Sequence, residues 1–563
     1  MCVPLLLGAG STPTPGLNLP PMPRLRSFAL VGVAAVLAAC ANDRPVSPAR
    51  ALTHGVLDVN ADVTPSSISL TKIGNVDGGG AQAAEVAAYD DASKRVFIVN
   101  GALGTVDVAD LQDPANPIKL APISVTQFGR SANSVDAHNG IVAIAIEGAI
   151  KTSPGTVAFY NAVTLQLISS VTVGALPDMV TFDEAGRRVI VANEGEPNDD
   201  YTIDPEGSVS IIDVTNIASP SARTAGFASV NGQIDALRAQ GVRIYGPNAT
   251  VAQDLEPEYV TVSEDGATAW VTLQENNALA IIDLASATVT SIVPLGFKNH
   301  ELPGNSLDVS DRDGPSSGPA IRIRRWPVLG MYQPDAIASY RVGGQTYLVT
   351  ANEGDTRDYQ GTPGFREESR VGALPLNAAI YSDNVCDGPC IGNNRLGRLT
   401  VTKALGLNAT TGLYDALYVP GGRSFSIWSA TGQLVWDSGD QFERRTTMLP
   451  MVNFNASNTG NALDDRSDNK GPEPEGIALG RMGAKTYAFI GLERVGGVMV
   501  YDITNPLSPK FVTYASARQG AGGDLGPEGL DFVPAHRSPN GKPLLIVGNE
   551  VSGTTAIFQV NVQ

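Results

Sequence analysis

The fold class predicted from this sequence of 563 residues is all-β: a seven-bladed β-propeller with loop insertions. Three observations predict it. Short runs rich in Val, Ile, Phe and Tyr recur between turns rich in Gly, Asn and Asp, as strands do. Those runs repeat as a unit, and the unit returns seven times. The 60 glycines and 38 prolines suit a fold with many turns. No helical period of comparable strength competes. A β-solenoid is the structural alternative, with repeats that are shorter and more even.

Each unit has a proline or small residue, an acid, and a short apolar strand. A turn leads to a second apolar strand that often ends in Glu-Gly or Asn-Glu, and a third strand follows. The first copy holds Glu85, Arg95-Val-Phe-Ile-Val99 and Gly104-Thr-Val-Asp-Val108. The second holds Asp136, Ile141 to Glu147 and Gly155 to Tyr160. The third holds Pro177-Asp178, Val189 to Glu194 and Gly207 to Asp213. The fourth holds Pro257-Glu258, Ala269 to Glu275 and Ala278 to Asp283. The fifth holds Pro334-Asp335 and Tyr347 to Glu353, then is interrupted and resumes at Arg423-Ser-Phe-Ser-Ile-Trp428. The sixth holds Pro474-Glu475, Tyr487 to Glu493 and Gly497 to Asp502. The seventh holds Pro527-Glu528, Leu544 to Glu550 and Thr555 to Val560. Residues 196–206, 220–250, 296–330 and 355–420 read as insertions on the blades.

Ahead of the repeats lies a targeting region, residues 1–39. Arg24 and Arg26 precede an apolar run, Phe28 to Leu37, too short to span a bilayer. It ends in Leu37-Ala-Ala-Cys40, which resembles the bacterial lipobox and implies lipidation of Cys40. The start is expected at Met22, since the stretch before it lacks signal character. Ala41 stands where an aspartate often marks inner-membrane retention, which favours the outer membrane. Residues 40–66 read as a tether and 67–563 as the propeller. The expected location is the cell envelope, with a lipid anchor as the membrane contact and an unidentified surface or matrix ligand as the partner.

The formal net charge is −18. Loss of Arg24 and Arg26 with the signal makes it more negative. Such a chain repels nucleic acid, which is excluded as a partner, and attracts cations. An acidic surface also serves plain solubility. Of four cysteines, Cys2 and Cys40 fall in the processed region. Cys386 and Cys390 read as a small disulfide in an exported protein. A redox or zinc site is the alternative, and no second pair or nearby histidine completes a metal set.

In a propeller, the start of the innermost strand and the end of the second strand lie at the same mouth. That brings two acid sets together. The strand-start set is Glu85, Asp136, Asp178, Glu258, Asp335, Glu475 and Glu528. The strand-end set is Glu147, Glu194, Glu275, Glu353, Glu493 and Glu550. Crowded carboxylates need cations, basic side chains or raised pKa values to coexist. Oxygen-only ligands favour calcium or another hard divalent cation. The metal candidates are Glu475, Glu528, Glu353, Asp335, Glu258, Asp178, Glu194 and Glu550. The competing reading has each acid capping backbone amides or pairing with Arg357, Arg466, Lys470 or Arg494.

Two further acidic segments stand out. Asp308-Val-Ser-Asp311-Arg-Asp313-Gly314 places acids around a turn glycine, as calcium loops do, without the first ligand and closing Glu of an EF-hand. A solvated turn is the alternative. Asp464 to Glu473 leads into the sixth strand-start acid, either bending acids over the mouth or forming a balanced polar loop. Catalytic signals are weak. His54, His138, His300 and His536 show no zinc spacing. Gly314-Pro-Ser-Ser-Gly318 has the form of a nucleophile elbow but lacks its flanking strand and helix.

Several motifs carry a family resemblance. They are Ala192-Asn-Glu-Gly195, Ser306 to Gly314, Ala351-Asn-Glu-Gly-Asp-Thr-Arg-Asp-Tyr359, Gly422-Arg-Ser-Phe-Ser-Ile-Trp428 and Asp465 to Gly476. Together they resemble the choice-of-anchor I domain family, related to mesenchyme-specific cell surface glycoproteins. The resemblance covers about residues 67–563 and implies a propeller displayed by varied anchors. Some relatives carry an alkaline-phosphatase description. Leu407 to Asp415 departs from the family's expected acidic loop. The reading that follows is a surface propeller binding calcium, or a cation-linked ligand, at its acidic mouth. A metal-dependent phosphatase of phytase-like logic is the enzymatic alternative, with Arg357, Arg366 and Lys470 to grip phosphate. A metal-free interaction scaffold is the third.

Overall fold

The computed structural model describes residues 64–450 and 452–563. The expected signal region, Cys40 and most of the expected tether lie outside the described residues. The chain from residue 64 on is all-β. Six four-stranded sheets and one five-stranded sheet carry it, each running antiparallel in simple up-and-down order.

The innermost strands are Ala87–Asp90, Ala132–His138, Pro177–Phe182, Pro257–Val262, Ile337–Val342, Pro474–Met482 and Pro527–Val533. Each packs beside the innermost strand of the next sheet in chain order, and Pro527–Val533 packs back beside Ala87–Asp90. Second strands such as Ile141–Ile146, Arg188–Asn193 and Leu544–Asn549 are buried along nearly their whole length. Their continuous apolar character follows from having a neighbouring sheet on both faces. Every gap between successive sheets holds its own hydrophobic core. One such core sets Val191 and Ile212 against Phe159, and another sets Phe489 and Val500 against Leu545 and Phe558. This is a β-propeller arrangement.

The sheets also have outer strands that the three-strand repeat omits. Ser221–Gly226, within the expected 220–250 insertion, is the fourth strand of its sheet, and a short helix, Ile234–Gln240, follows it. The N-terminal strand Ile68–Asp77 pairs with the C-terminal strand Thr554–Val562, so the first and last parts of the chain share one sheet. Gly74, beside the register shift in that pair, has the Pro114 carbonyl oxygen where a Cβ would stand.

The insertions at 296–330 and 355–420 merge into one module. Phe297–Asn299 pairs with Leu329–Met331, which pairs in parallel with Tyr418–Val419. Trp326, Val328, Val371, Leu396, Val401 and Tyr414 form a separate core there. Cys386 and Cys390 are disulfide-bonded in this module. The 407–415 turn closes on itself: Asn377 and Asn408 donate to the Asp415 carboxylate and pull its pKa down. No helix among the described residues is long and apolar enough to cross a membrane.

Candidate functional site: an acidic channel mouth

The Asn-Glu ending of the second strands divides its labour. The asparagine locks strands together. Asn193 Nδ2 donates to the hydroxyls of Ser208 and Ser210, and Asn352 Nδ2 to those of Ser424 and Ser426, all buried. The following glutamate is left to face the mouth.

The first strands deliver their acids by another device. Pro177, Pro257, Pro474 and Pro527 open their strands, where the missing N–H costs no ladder bond. Register shifts between Pro177/Met179, Pro257/Val260, Pro474/Ile477 and Pro527/Leu530 then bulge the backbone at Asp178, Glu258, Glu475 and Glu528. A bulge re-aims the side chain it carries.

The resulting carboxylates crowd one another. Glu475 is pushed well up in pKa by burial and by Glu493, Glu528, Glu353 and Asp335. Glu528 is pushed up by burial and by Glu85, Glu550, Asp335 and Glu493. Glu258 is pushed up by burial and by Glu194, Asp178, Glu275 and Asp335. Burial raises Asp178 to about 7, and burial with Glu550 and Asp178 raises Glu85 to about 8. Asp335 is raised by burial and by Glu353 and Asp178, with Lys470 opposing. Burial and Asp178 hold Glu194 well above the usual range. Oε2 of Glu258, Glu475 and Glu528, and of Glu275 above them, is sealed from solvent without a hydrogen-bond partner. Glu85, Glu147, Asp178 and Glu528, with Arg130 and Lys151, line a solvent-open cavity of about 660 Å³.

Some of the strand-end acids are better provided for. Glu353 accepts from Lys470 Nζ and from Gln274 Nε2, the latter at 2.9 Å. Glu493 lies 2.9 Å from Arg494 and accepts from Asn458 Nδ2 at 2.7 Å. Glu147 lies 3.4 Å from Arg130. Glu550 is raised by burial, with Arg494 opposing. Between Glu353 and Glu493 sits Glu473, and these three could offer one ligand oxygen each within 4.8 Å. Glu473 is already saturated, however. Lys470 lies at 3.1 Å, Arg494 at 3.0 Å and Arg466 at 2.6 Å, and together they outweigh burial and pull its pKa down to about 2. That trio is an ion-pair network, so Glu353 is a weaker metal candidate than its position in the repeat implies.

Asp136 departs from its expected place, and the expected ligand-binding residues have partners of their own. Asp136 lies near the end of its strand, not at the start. It sits at the opposite end of the channel, where Phe182 N donates to it at 2.7 Å, joining two sheets; the strand-start position in that repeat is occupied by Asn133. Arg357 is fully buried and grips Asp254 and Glu256, with Tyr245 under its guanidinium, so carboxylates already occupy it. Lys470 is spent on Glu353 and Glu473. Arg366 is an exposed side chain facing Asp358 at 3.4 Å. Glu473 and Arg423 were not singled out in the sequence. In sequence Glu473 reads as part of a charge-balanced loop, and its position two residues before Glu475 is the one available signal.

Three of the segments that carry the resemblance, 306–314, 422–428 and 465–476, meet at Arg423. Its guanidinium donates to Glu443 Oε1 at 2.6 Å, to the Asp308 carbonyl at 2.7 Å and to the Ser467 carbonyl at 2.9 Å. The chain is 32% identical to Gigasin-3a of Magallana gigas over 184 residues, covering 29% of this chain and 64% of that protein. It is 29% identical to the mesenchyme-specific cell surface glycoprotein of Strongylocentrotus purpuratus over 287 residues, covering 46% of this chain and 36% of that one. The chain thus spans less than two thirds of either relative. Among solved structures it is similar to the Cps50 (Swd1) β-propeller domain of Myceliophteria thermophila, with TM-score 0.43, 9% identity and coverage of 88% and 100%. It is also similar to hydrazine synthase of Kuenenia stuttgartiensis, with TM-score 0.45, 13% identity and coverage of 86% and 98%. The sequence model of the choice-of-anchor I domain matches residues 85–506, and the chain belongs to that family.

Proposed function

We propose that this protein is a cell-surface or envelope propeller of seven blades whose acidic mouth binds a divalent cation, calcium in preference, or a ligand carried by one. The carrying observation is the set of sealed carboxylate oxygens on Glu258, Glu475 and Glu528 that no protein group satisfies. A buried, unpaired carboxylate is costly, and several together more so, unless a cation joins them. All donors are oxygen, which suits calcium or magnesium and not softer metals. Asp178, Asp335, Glu194 and Glu550 are the further candidate ligands at the same mouth. The relative named as a cell surface glycoprotein supports the surface location, and the sequence before residue 64 supports attachment through lipidated Cys40.

The phosphatase alternative needs basic groups free to hold phosphate, and Arg357 and Lys470 are engaged by carboxylates. Binding without turnover is therefore the favoured reading. The test is the full chain, stripped with chelator, titrated with calcium and with magnesium, and assayed on p-nitrophenyl phosphate. Expected are a calcium-dependent rise in Tm that Glu528→Gln diminishes and no phosphate release. Metal-dependent hydrolysis lost in Glu475→Gln would establish the enzyme instead. Indifference to both ions would leave the scaffold.

A further inference from the structure

One stretch of this acidic chain is basic. In the insertion module, Ala320-Ile-Arg-Ile-Arg-Arg-Trp326 carries three arginines and no acid. Its backbone is pinned. Arg324 and Leu307 exchange backbone hydrogen bonds at 3.2 and 3.0 Å, and Trp326 N donates to the His300 carbonyl at 3.3 Å. Beside this stretch opens a cavity of about 470 Å³, lined by Glu301, Arg324, Arg325, Trp326, Pro327 and Val385. The Arg324 guanidinium lies over the Trp326 ring, 4.3 Å from its centroid, and the indole is itself buried. The ring is therefore a fixed platform under a cation.

Elsewhere the chain uses its buried arginines fully: Arg357 grips two carboxylates, and Arg423 holds Glu443 and three loop carbonyls. The two arginines at this cavity are unspent. Among the described residues, the one carboxylate near Arg324 is Asp387, at 3.8 Å, and Arg325 has none within ion-pair reach. Asp387 is 79% exposed and is shared with Arg395 at 3.5 Å. A loose, exposed pair of that kind contributes little. Glu301, on the cavity wall, is exposed and forms no ion pair with either arginine. Arginine stays charged at physiological pH, so two neighbours without a close counterion repel each other and attract an anion.

We infer that Arg324 and Arg325 bind a small organic oxyanion, a carboxylate or a phosphate ester, in the cavity of the insertion module. The planar guanidinium fork matches both groups, with two parallel N–H···O bonds to one anion. The Trp326 ring takes one face of Arg324 and leaves the N–H groups at its edge for a ligand. Holding the fork in place beforehand lowers the ordering cost of binding. The cavity has room for more than a bare anion. Val385 and Pro327 give the ligand's body an apolar wall, and Glu301 offers an acceptor to a hydroxyl on it. The site needs no metal and shares no lining residue with the mouth cavity, so either can fail without the other.

The experiment measures binding of glucuronate and of glucose 6-phosphate to the full chain by equilibrium dialysis, with chelator present to keep any ion at the mouth out of the result. Native protein is expected to bind both, to bind inorganic phosphate more weakly, and to ignore uncharged glucose. Arg325→Ala is expected to weaken both ligands at least about tenfold, as loss of a charge-assisted hydrogen bond does. Arg366→Ala, which removes an exposed arginine away from the cavity, is expected to bind as the native chain does. Equal affinity in native protein and Arg325→Ala overturns the inference, as does an equal loss in Arg366→Ala. Failure of the native chain to bind either ligand at millimolar concentration also overturns it. Inorganic phosphate binding as tightly as glucose 6-phosphate overturns the organic class. Arg325 is exposed, so its replacement should leave Tm unchanged. Should Arg325→Ala fail to fold, Arg325→Gln, which keeps most of the stem, decides by the same loss or retention of binding.

Discussion

Two tiers of carboxylate share the channel mouth, and they are held in opposite ways. Part of the tier at the ends of the second strands meets basic side chains: Glu353 meets Lys470, Glu493 meets Arg494, and Glu473, just ahead of a first strand and between them, meets three cations, whereas Glu194, Glu275 and Glu550 have no ion-pair partner among the described residues. The tier at the starts of the first strands has none within ion-pair reach among the described residues; Glu258, Glu475 and Glu528 face mainly other acids. Both tiers arise from the same repeat and carry the same formal charge. What separates them is supply. Lys470, Arg466 and Arg494 reach Glu353, Glu473 and Glu493, whereas no basic side chain among the described residues comes within ion-pair distance of the bulged strand starts. The number of acids at an opening therefore says little about metal binding; the number left without a protein partner says much more.

The comparison can be broken most severely in the upper tier. Glu473→Gln leaves Lys470, Arg466 and Arg494 facing a neutral amide in a buried site. Removing one member of such a network costs about 3–5 kcal/mol. Denaturant unfolding should register that loss with calcium present or absent. A change under about 1 kcal/mol would mean that the network is not what holds this tier.

Calcium provides the next largest effect, and it belongs to the lower tier. At a free concentration of one hundred times Kd, binding to the native state alone adds about 2.7 kcal/mol. Glu475→Gln should reduce that increment while leaving the Glu473 network intact. An unchanged increment in both Glu475→Gln and Glu528→Gln would place the ion elsewhere.

Acid and base should act oppositely on the two tiers. Among the first-strand acids, Glu85 is raised to about 8 and Asp178 to about 7. The folded chain therefore keeps protons that the unfolded chain releases above about pH 4.5. In metal-free protein this contribution falls as pH rises from about 4.5 to about 8. Glu473, pulled down to about 2, contributes fully above about pH 4.5 and is lost only as pH falls toward 2. Metal-free stability measured across that range should decline toward the alkaline end, and saturating calcium should flatten the decline. A metal-free protein that gains stability toward about pH 8 would argue against unpaired carboxylates in the lower tier.

The smallest effect is expected at Arg366. It is an exposed side chain facing Asp358, and Arg366→Ala should alter stability by less than about 0.5 kcal/mol and leave calcium binding unchanged. A substantial loss of calcium affinity would return this residue to the site.

The strand pattern was readable because the second and third strands are apolar over their whole length, as at Val189 to Asn193, and such runs are unambiguous in sequence. Outer strands escaped the same reading. Ser221–Gly226 is largely exposed, of mixed polarity, and flanked by a loop and a helix, so nothing in its pattern separates it from an insertion. Asp136 misled for a related reason. An acid ahead of an apolar strand fits the repeat, and only the strand's true start at Ala132 shows that Asp136 lies at its far end. The mouth acids Asp178, Glu258, Glu475 and Glu528 were legible because proline precedes each one, marking both the strand start and the place where the backbone bulges.

Sequence by itself determined the all-β character, the repeat, the acid at each proline-led strand start and the cysteine pair in one short loop. These are local properties, set by side-chain chemistry and by neighbours a few residues away. Only the tertiary structure decided which acids are neutralised. Arg357 reaches Asp254 and Glu256, Lys470 reaches Glu353, and Arg423 gathers Glu443 with the 308 and 467 loops. Most of these pairings join residues far apart in the chain. Whether a carboxylate meets a cation within a few ångströms depends on how sheets and insertions pack, a distance that no local pattern encodes.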